Sequence, residues 1–119
     1  MTEPRLRLRL HFGPGSMFGP GRADLLEAIA AHGSISAAGR QMGMSYRRAW
    51  TLVEALNAGF SAPLVDSSRG GAAGGGAKLT AEGLAVLAHY RKLEMTLAEA
   101  GAAEIAALQQ LACAIPTRK

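Results

Sequence analysis

The chain has 119 residues, which supports one compact domain and leaves little for a second. Apolar residues make up 49% of it, enough for a core, which argues against wholesale disorder. The formal net charge of +4 weakly favours a polyanionic partner. The single cysteine, Cys113, excludes an intrachain disulfide and fits a reducing compartment.

Neither a signal peptide nor a membrane span is expected. Arginines separate the leucines of the N-terminal segment, so it lacks the continuous apolar block of a signal peptide. The most apolar later stretch, residues 97–115, contains two glutamates and two glutamines, which are costly in hydrocarbon. We therefore expect a cytoplasmic protein with no membrane partner.

The first predicted element is a strand over Arg5–Phe12, where arginine and leucine alternate. A period of two places the leucines and Phe12 on one face and the arginines and His11 on the other, as in a strand with one buried face. The arginine face is interpreted as a solvated outer face, and contact with phosphate is the alternative. Glycine and proline in 13–16 and 19–21 then predict loops.

Three helices follow these loops. The first is predicted over Arg22–His32, with Leu25, Leu26, Ile29 and Ala30 on its apolar face and Gly33 at its end. The second is predicted over Ile35–Met42, capped by Ser34 or Ser36, and Gly43 supplies the turn after it. Ser45 then caps a third helix, which runs to Asn57. The segment has the order of a helix-turn-helix.

The third helix has two unlike faces. At 100° per residue, Ala49, Leu52, Val53 and Leu56 share an apolar face. Arg47, Thr51 and Glu54 lie opposite, Arg48 lies on the flank, and Trp50 at the border is interpreted as a packing residue. Arginine at the exposed start of such a helix is typical of proteins that read guanine or grip phosphate in the major groove. Ala37, Ala38 and Gly39 in the preceding helix predict a close crossing between the two.

A β-hairpin is predicted after this unit. Leu64–Ser68 is a strand candidate, Arg69–Ala77 is a glycine-rich tip, and Lys78-Leu79 is the short return strand before Thr80, which caps the last helix. A hairpin directly after a helix-turn-helix is the wing of a winged helix. The glycines also resemble a nucleotide-binding loop, but Ala77 stands where the lysine of that motif belongs.

The remainder, from Thr80 to about Cys113, is predicted to be helical throughout, with Gly101 as a point where it kinks or splits. Its apolar residues form a stripe of roughly 50 Å, longer than a small core covers. The stripe therefore indicates a partner helix, most simply from a second subunit. Its members are Leu84, Leu87, Tyr90, Leu93, Leu97, Ile105, Leu108 and Ala112.

Catalytic, metal-binding and cofactor-binding sites are not expected. His11, His32 and His89 are far apart in sequence and join no cluster with metal-ligand spacing. The carboxylates read as surface charges on helices and turns. No motif indicates a cofactor.

The stretch GSISAAGRQMGMSYRRAW resembles the N-terminal domain of ModE-type molybdate-responsive transcription regulators and, more distantly, the LysR-type helix-turn-helix. The likeness also takes in LHFGPG, ADLLEAI, and PLV followed by the glycine-rich tip and LTAEG. It implies a dimeric winged helix that binds palindromic double-stranded DNA. Carried over to this chain, it implies a DNA-facing set of Ser36, Ser45, Tyr46, Arg47, Arg48, Thr51, Arg69 and Lys78.

The expected fold class is mainly α with a small β-wing, a winged helix-turn-helix with a long C-terminal helix. Residues 1–79 are expected to form the DNA-binding unit, and residues 80–119 the helical dimerisation segment. ModE-type regulators carry C-terminal oxyanion-binding domains, which residues 80–119 are expected to lack, so the effector stays unknown. The alternatives are a winged-helix protein-interaction module without DNA binding, and a regulator that responds to a small oxyanion.

Overall fold

The computed structural model describes residues 4–14, 16–68 and 76–112, and its extents are 56 × 35 × 26 Å. Arg69 and the predicted tip as far as residue 75 lie outside the described residues, as does Cys113, whereas Gly76 and Ala77 belong to the described return strand. Two small antiparallel hairpins accompany five helices within those residues. In chain order the elements are β1 Leu10–Gly13, β2 Ser16–Phe18, α1 Pro20–His32, α2 Ile35–Gln41, α3 Tyr46–Gly59, β3 Val65–Ser68, β4 Gly76–Leu79, α4 Ala81–Ala100 and α5 Ala102–Leu111.

The helix-turn-helix unit forms as the sequence predicts. Gly33 ends α1 in the left-handed conformation, at φ 75°, which glycine adopts without steric cost. The Ser34 hydroxyl, rather than that of Ser36, accepts a hydrogen bond from the Ala37 N–H and caps α2. Gly43 makes the next turn at φ 74°, and Ser45 caps α3. Each boundary has a local chemical cause that the sequence displays.

The core lies where α1, α2, α3 and the two hairpins meet. On α1, Leu25, Leu26 and Ile29 are buried as predicted, but Ala30 is exposed, so that assignment was wrong. Ala30 sits at the margin of the apolar face, 100° from Ile29 by helical geometry, where no neighbouring element covers it. The fully buried large side chains are Phe18, Leu25, Leu26, Ile29, Leu56 and Leu64.

The N-terminal strand is shorter than the predicted Arg5–Phe12. Only Leu10–Gly13 is a strand, because only these residues face β2, with Leu10 opposite Phe18 and His11 opposite Met17. Residues 13–16 were assigned to a loop, whereas Gly13 ends β1 and Ser16 begins β2, the strand that carries Phe18 into the core. The single buried face was also wrong, since Leu6 is 43% and Phe12 59% exposed.

The wing is present, with Val65 opposite Leu79 and Asp66 opposite Lys78 in an antiparallel register. Its base is held by Asn57 of α3. The Asn57 Oδ1 accepts hydrogen bonds from the N–H groups of Leu64 and Val65 at 2.9 and 3.0 Å, and Nδ2 donates to the Val65 carbonyl at 3.2 Å. The side-chain amide thus makes hydrogen bonds of the kind that a neighbouring strand would make, and these bonds fix β3 to α3.

A backbone hydrogen bond also joins the wing to the helix-turn-helix. The Ala77 N–H of β4 donates to the carbonyl of Gly33, at the turn between α1 and α2, over 2.8 Å. The wing is therefore attached at its base on two sides, to α3 and to the α1–α2 turn.

The C-terminal segment is two helices rather than one. It splits at Gly101, whose N–H donates to the Leu97 carbonyl at 2.8 Å and ends α4. Gly83 and Tyr90 of α4 are buried against the core, whereas α5 buries none of its residues. Within the described residues, no helix has both the length and the apolar character needed to cross a membrane.

Candidate nucleic-acid interface

The exposed start of α3 carries most of the predicted site. Ser45, Tyr46, Arg47 and Arg48 are all exposed, and the Ser45 hydroxyl accepts the Arg48 N–H at 3.1 Å. This cap fixes the first turn of α3. Its cationic side chains therefore project from an ordered helix end.

Arg47 and Thr51 lie one turn apart on the exposed face. The Thr51 hydroxyl donates to the Arg47 carbonyl at 2.9 Å, which uses its one hydrogen. Thr51 can therefore offer only a methyl group and acceptor lone pairs to a ligand. Within the described residues, the Arg47 side chain makes neither an ion pair nor a hydrogen bond, so its planar set of donors faces solvent.

Tyr46 is exposed over 60% of its surface, and its ring meets Trp50 edge-on at a centroid distance of 6.1 Å. Trp50 packs against the core, as predicted for a border residue. Its Nε1 is buried without a hydrogen-bond partner among the described residues. Packing against Trp50 restricts the Tyr46 ring, and this limits where the Tyr46 hydroxyl can lie.

Ser36 lies on α2 and is held by Arg40, a residue that the sequence reading did not select. The Arg40 Nη1 donates to the Ser36 Oγ at 3.1 Å, across one helical turn. Arg40 is exposed and is the third arginine of α2 and α3, besides Arg47 and Arg48. The i, i+4 spacing of Ser36 and Arg40 is the sequence feature from which this contact could have been predicted.

The crossing of α2 and α3 depends on Gly39. A Cβ placed on Gly39 would lie 3.0 Å from the Cβ of Ala49, closer than such atoms normally approach. Gly39 and Ala49 therefore let the two helix axes approach closely. A close crossing was predicted from the small residues Ala37, Ala38 and Gly39. This contact sets the angle at which α3 stands away from the body of the protein.

Lys78 lies in β4 directly opposite Asp66, and both side chains are exposed. Residues paired across antiparallel strands project to the same side of a hairpin, so Asp66 places a negative charge on the side of Lys78, although the two form no ion pair among the described residues. Arg69, the other predicted wing residue, lies outside the described residues. The described wing thus brings one cation to the surface beside an acid.

Acidic residues of α1 face α4 rather than α3. Arg91 bonds to Asp24 and Glu27 at 2.8 Å each and to Glu94 at 3.0 Å. Burial alone would lower the pKa of Arg91, but its hydrogen bonds to these three carboxylates outweigh burial and raise the pKa. Asp24 and Glu27 are thereby held on the α4 side of α1, and the single guanidinium offsets one of the three negative charges. Glu54 is the acid that shares the exposed face of α3.

No cluster of three or more histidine, cysteine or acidic residues suited to a metal ion occurs in the described part of the chain. An exposed cationic helix end above a fixed crossing, as in α3, is the geometry of a helix that enters a groove.

The model of the bacterial regulatory helix-turn-helix proteins of the lysR family matches residues 22–84, more than half of the chain. The chain belongs to this family. The matched residues begin in α1, include the α2–α3 unit and the wing, and end in the first turn of α4. The LysR-type character of the helix-turn-helix is thus confirmed.

Relatives extend the likeness to molybdenum-related proteins. This LysR-family chain is 46% identical over 82 residues to the molybdenum-pterin-binding protein MopA of Rhodobacter capsulatus, covering 69% of this chain and 31% of MopA. It is 38% identical over 97 residues to the molybdenum transport protein ModE of Azotobacter vinelandii, covering 80% of this chain and 36% of ModE. The chain thus spans about a third of each relative, and its resemblance to ModE-type regulators is confirmed over that part.

A solved structure supports the fold. The DNA-binding domain of CbnR, determined in a complex with DNA, superposes with a TM-score of 0.56 at 24% identity and covers 74% of this chain and 95% of that domain. The fold class, mainly α with a small β-wing, is confirmed for this LysR-family chain.

Proposed function

We propose that this LysR-family chain is a sequence-specific DNA-binding transcription regulator that inserts α3 into the major groove. The observation that carries the proposal is the capped, exposed start of α3, where Arg47 has no partner among the described residues. A guanidinium in that position can make a bidentate contact with guanine O6 and N7. A cytoplasmic location and a regulatory rather than enzymatic role follow from this function.

The remaining predicted residues divide by the contacts open to them. Arg48, Lys78 and Arg69 are proposed to contact phosphate, which gives affinity without base preference. Ser36, Ser45, Tyr46 and Thr51 are proposed to complete the surface with hydrogen bonds and apolar contacts. CbnR was solved bound to DNA, and the E. coli relative, 39% identical over 71 residues, is named a DNA-binding transcriptional dual regulator. Both are consistent with this proposal.

Fluorescence titration of labelled genomic duplexes at two salt concentrations tests the function. We expect some fragments to bind more tightly than others, and every affinity to fall as salt rises, because phosphate contacts release counterions. Binding that is absent at low salt would overturn the proposal.

We further propose that residues 80–119 act as a dimerisation segment, with the first turns of α4 also completing the core. Large apolar side chains stand exposed on α4 and α5, with Leu108 at 66% and Leu111 at 80%. A second copy covers such a stripe most simply, and a two-fold dimer places two α3 helices in successive major grooves about 34 Å apart. The operator is then roughly palindromic.

Sedimentation of the variant Leu108→Glu tests the dimer. We expect a shift to monomer, since an unpaired carboxylate buried in an apolar interface destabilises the dimer by roughly 3–5 kcal/mol. Ala106→Glu, on the opposite side of α5, is the matched control and should stay dimeric. Equal behaviour of both variants would remove α5 from the interface.

The second candidate function is a winged-helix protein-interaction module without DNA binding. Glu54 favours it, because a carboxylate on the exposed face of α3 repels phosphate. The same titration separates the two functions, since an interaction module shows no salt-dependent DNA binding. Response to a small oxyanion is tested by calorimetry with molybdate, tungstate and sulfate.

A further inference from the structure

A cleft of about 230 Å³ lies beside α3, where the N-terminal hairpin, the start of α1 and the α2–α3 turn meet. Arginines from three separate elements line it: Arg9 from the N-terminal segment, Arg22 from α1 and Arg48 from α3. The rest of its wall is largely apolar and includes Met17, Met42, Met44 and Leu52. The cleft lies at the start of α1, whereas the wing is attached beyond the C-terminal end of that helix, at Gly33.

The cleft has no counter-charge of its own. None of its lining residues is acidic, and among the described residues none of the three arginines forms an ion pair. The acids of α1, Asp24 and Glu27, are bonded to Arg91 instead. Three guanidinium groups beside an apolar wall repel one another, and an anion relieves that repulsion.

The Arg22 guanidinium is hydrogen-bonded to the backbone, and the Arg9 stem is packed. The Arg22 Nη1 donates to the Met17 carbonyl of β2 at 3.2 Å. The stem of Arg9 passes close over Gly19, where a Cβ would lie 3.5 Å from the Arg9 Cγ. The Arg22 guanidinium is thus ordered before an anion binds, and an ordered group loses less conformational entropy on binding than a free surface arginine.

We propose that this cleft binds a tetrahedral oxyanion, specifically a backbone phosphate of the DNA duplex, on the side of α3 that the wing does not reach. The inference rests on the proposed DNA-binding function and deepens it. Arg48 connects the two surfaces, since it follows Arg47 and lines the cleft. A helix in the major groove has a phosphate backbone on each side. In this arrangement the wing contacts the phosphate backbone on one side of the major groove, and the cleft contacts the backbone on the other side.

Replacement of Arg9 by methionine tests the proposal, because it keeps the packed stem and removes the charge. Arg5→Met is the matched control, since Arg5 is exposed on the same segment and lies outside the cleft. For Arg9→Met we expect the slope of log K against log salt to fall by about 0.9, and affinity near 0.1 M salt to fall roughly tenfold. The loss should be alike for operator and unrelated duplexes, and Arg9→Lys should recover much of it.

Arg22→Met provides a second, independent variant, and its melting temperature shows whether loss of the Met17 hydrogen bond has disturbed the fold. In a folded variant we expect the same uniform loss of affinity. Calorimetry of the free protein with inorganic phosphate supplies the other arm. Tight binding of inorganic phosphate that duplex DNA fails to displace would assign the cleft to a free anion and overturn the DNA contact.

The outcomes separate the two proposals. If the wild-type protein binds duplexes with sequence preference but Arg9→Met matches Arg5→Met, the cleft assignment fails and the proposed function stands. If the wild-type protein binds no DNA at low salt, both fail.

Discussion

Gly83, in the first turn of α4, lies directly against the backbone carbonyl of Leu64. A Cβ on Gly83 would collide with that oxygen, which already accepts the Thr80 N–H at 2.9 Å. Thr80 also donates its hydroxyl hydrogen to the Pro63 carbonyl and caps α4 by accepting the Gly83 N–H. The start of α4 is therefore joined to the entry of the wing through backbone groups that cannot shift independently.

Gly83→Ala should destabilise the fold by about 1–3 kcal/mol, because overpacking against backbone outweighs the gain of about 1 kcal/mol in helix propensity. Urea unfolding measures the change. Gly21→Ala in α1 is the control, since a Cβ there meets no atom within 4 Å. It should leave stability unchanged or raise it slightly, and an equal loss in both variants would contradict the steric argument.

Arg47→Ala should relax the base preference and weaken operator binding by about 1–3 kcal/mol, because a bidentate guanine contact is lost. Selection from a randomised duplex library measures the preference. Lys78→Ala is the comparison, and it should weaken all duplexes alike while flattening the salt slope. Unchanged selectivity in Arg47→Ala would take base reading away from this residue.

Glu54→Gln should strengthen binding to all duplexes, because a carboxylate on the exposed face of α3 repels the phosphates on both sides of the groove. Competitive titration against the wild-type protein at low salt measures the gain. Glu82→Gln, in the first turn of α4, is the charge-matched control and should have a smaller effect. An equal gain in both variants would indicate a general charge effect, with Glu54 away from the DNA.

Asn57→Ala should destabilise the protein by about 2–4 kcal/mol, since it leaves the N–H groups of two buried residues, Leu64 and Val65, without their acceptor. Asn57→Asp keeps the acceptor oxygen and loses one donor, so its cost should be smaller. Chemical denaturation gives both values. Hydrogen exchange at the Val65 amide should accelerate more in Asn57→Ala; equal exchange in the two variants would argue against the bridging role.

Stability should fall as the pH rises above about 10, in part through Tyr90. Burial raises the pKa of Tyr90 from its ordinary value of 10.0, and Glu94 raises it further. Because the folded state disfavours the tyrosinate, this contribution is complete below the unfolded pKa and is lost as the pH rises through the folded pKa. Tyr90→Phe should lower stability at neutral pH by about 1 kcal/mol, since the hydrogen bond to the Leu8 carbonyl is lost.

Thermal unfolding of Tyr90→Phe and the wild-type protein at neutral and alkaline pH tests this assignment. The variant should show a weaker alkaline loss than the wild-type protein. An identical decline in both would place the titrating group elsewhere.

The helix-turn-helix could be predicted from the sequence because its signals are local. Gly33, Gly43 and Ser45 each fix a helix end through their own backbone or hydroxyl group, and the apolar period of α3 needs no distant partner. The limits of β1 depend instead on β2, because only three of the eight alternating residues, 10–12, lie in the strand that pairs with it. Alternation indicates a possible strand, but the partner decides where it begins.

The same distinction applies to the candidate site. Periodicity placed Arg47 and Thr51 on the outer face of one helix and Arg48 on its flank, and the family resemblance supplied their expected role in facing DNA. Arg9 and Arg22 were not selected, because only the folded hairpin brings them beside Arg48. Asp66 opposite Lys78 likewise depends on the register of the wing, which the glycine-rich tip leaves undetermined.

Arg91 fastens α4 to α1 through Asp24 and Glu27, about halfway along α4, while α5 beyond it buries none of its residues. In the proposed dimer, the affinity between subunits and the distance between the two α3 helices therefore depend on different parts of the C-terminal segment. Substitutions in α5 should tune how tightly two subunits associate, and substitutions around Arg91 should alter the distance between the two α3 helices. A lineage could thus adjust its dimer strength without changing the length of the operators that it recognises.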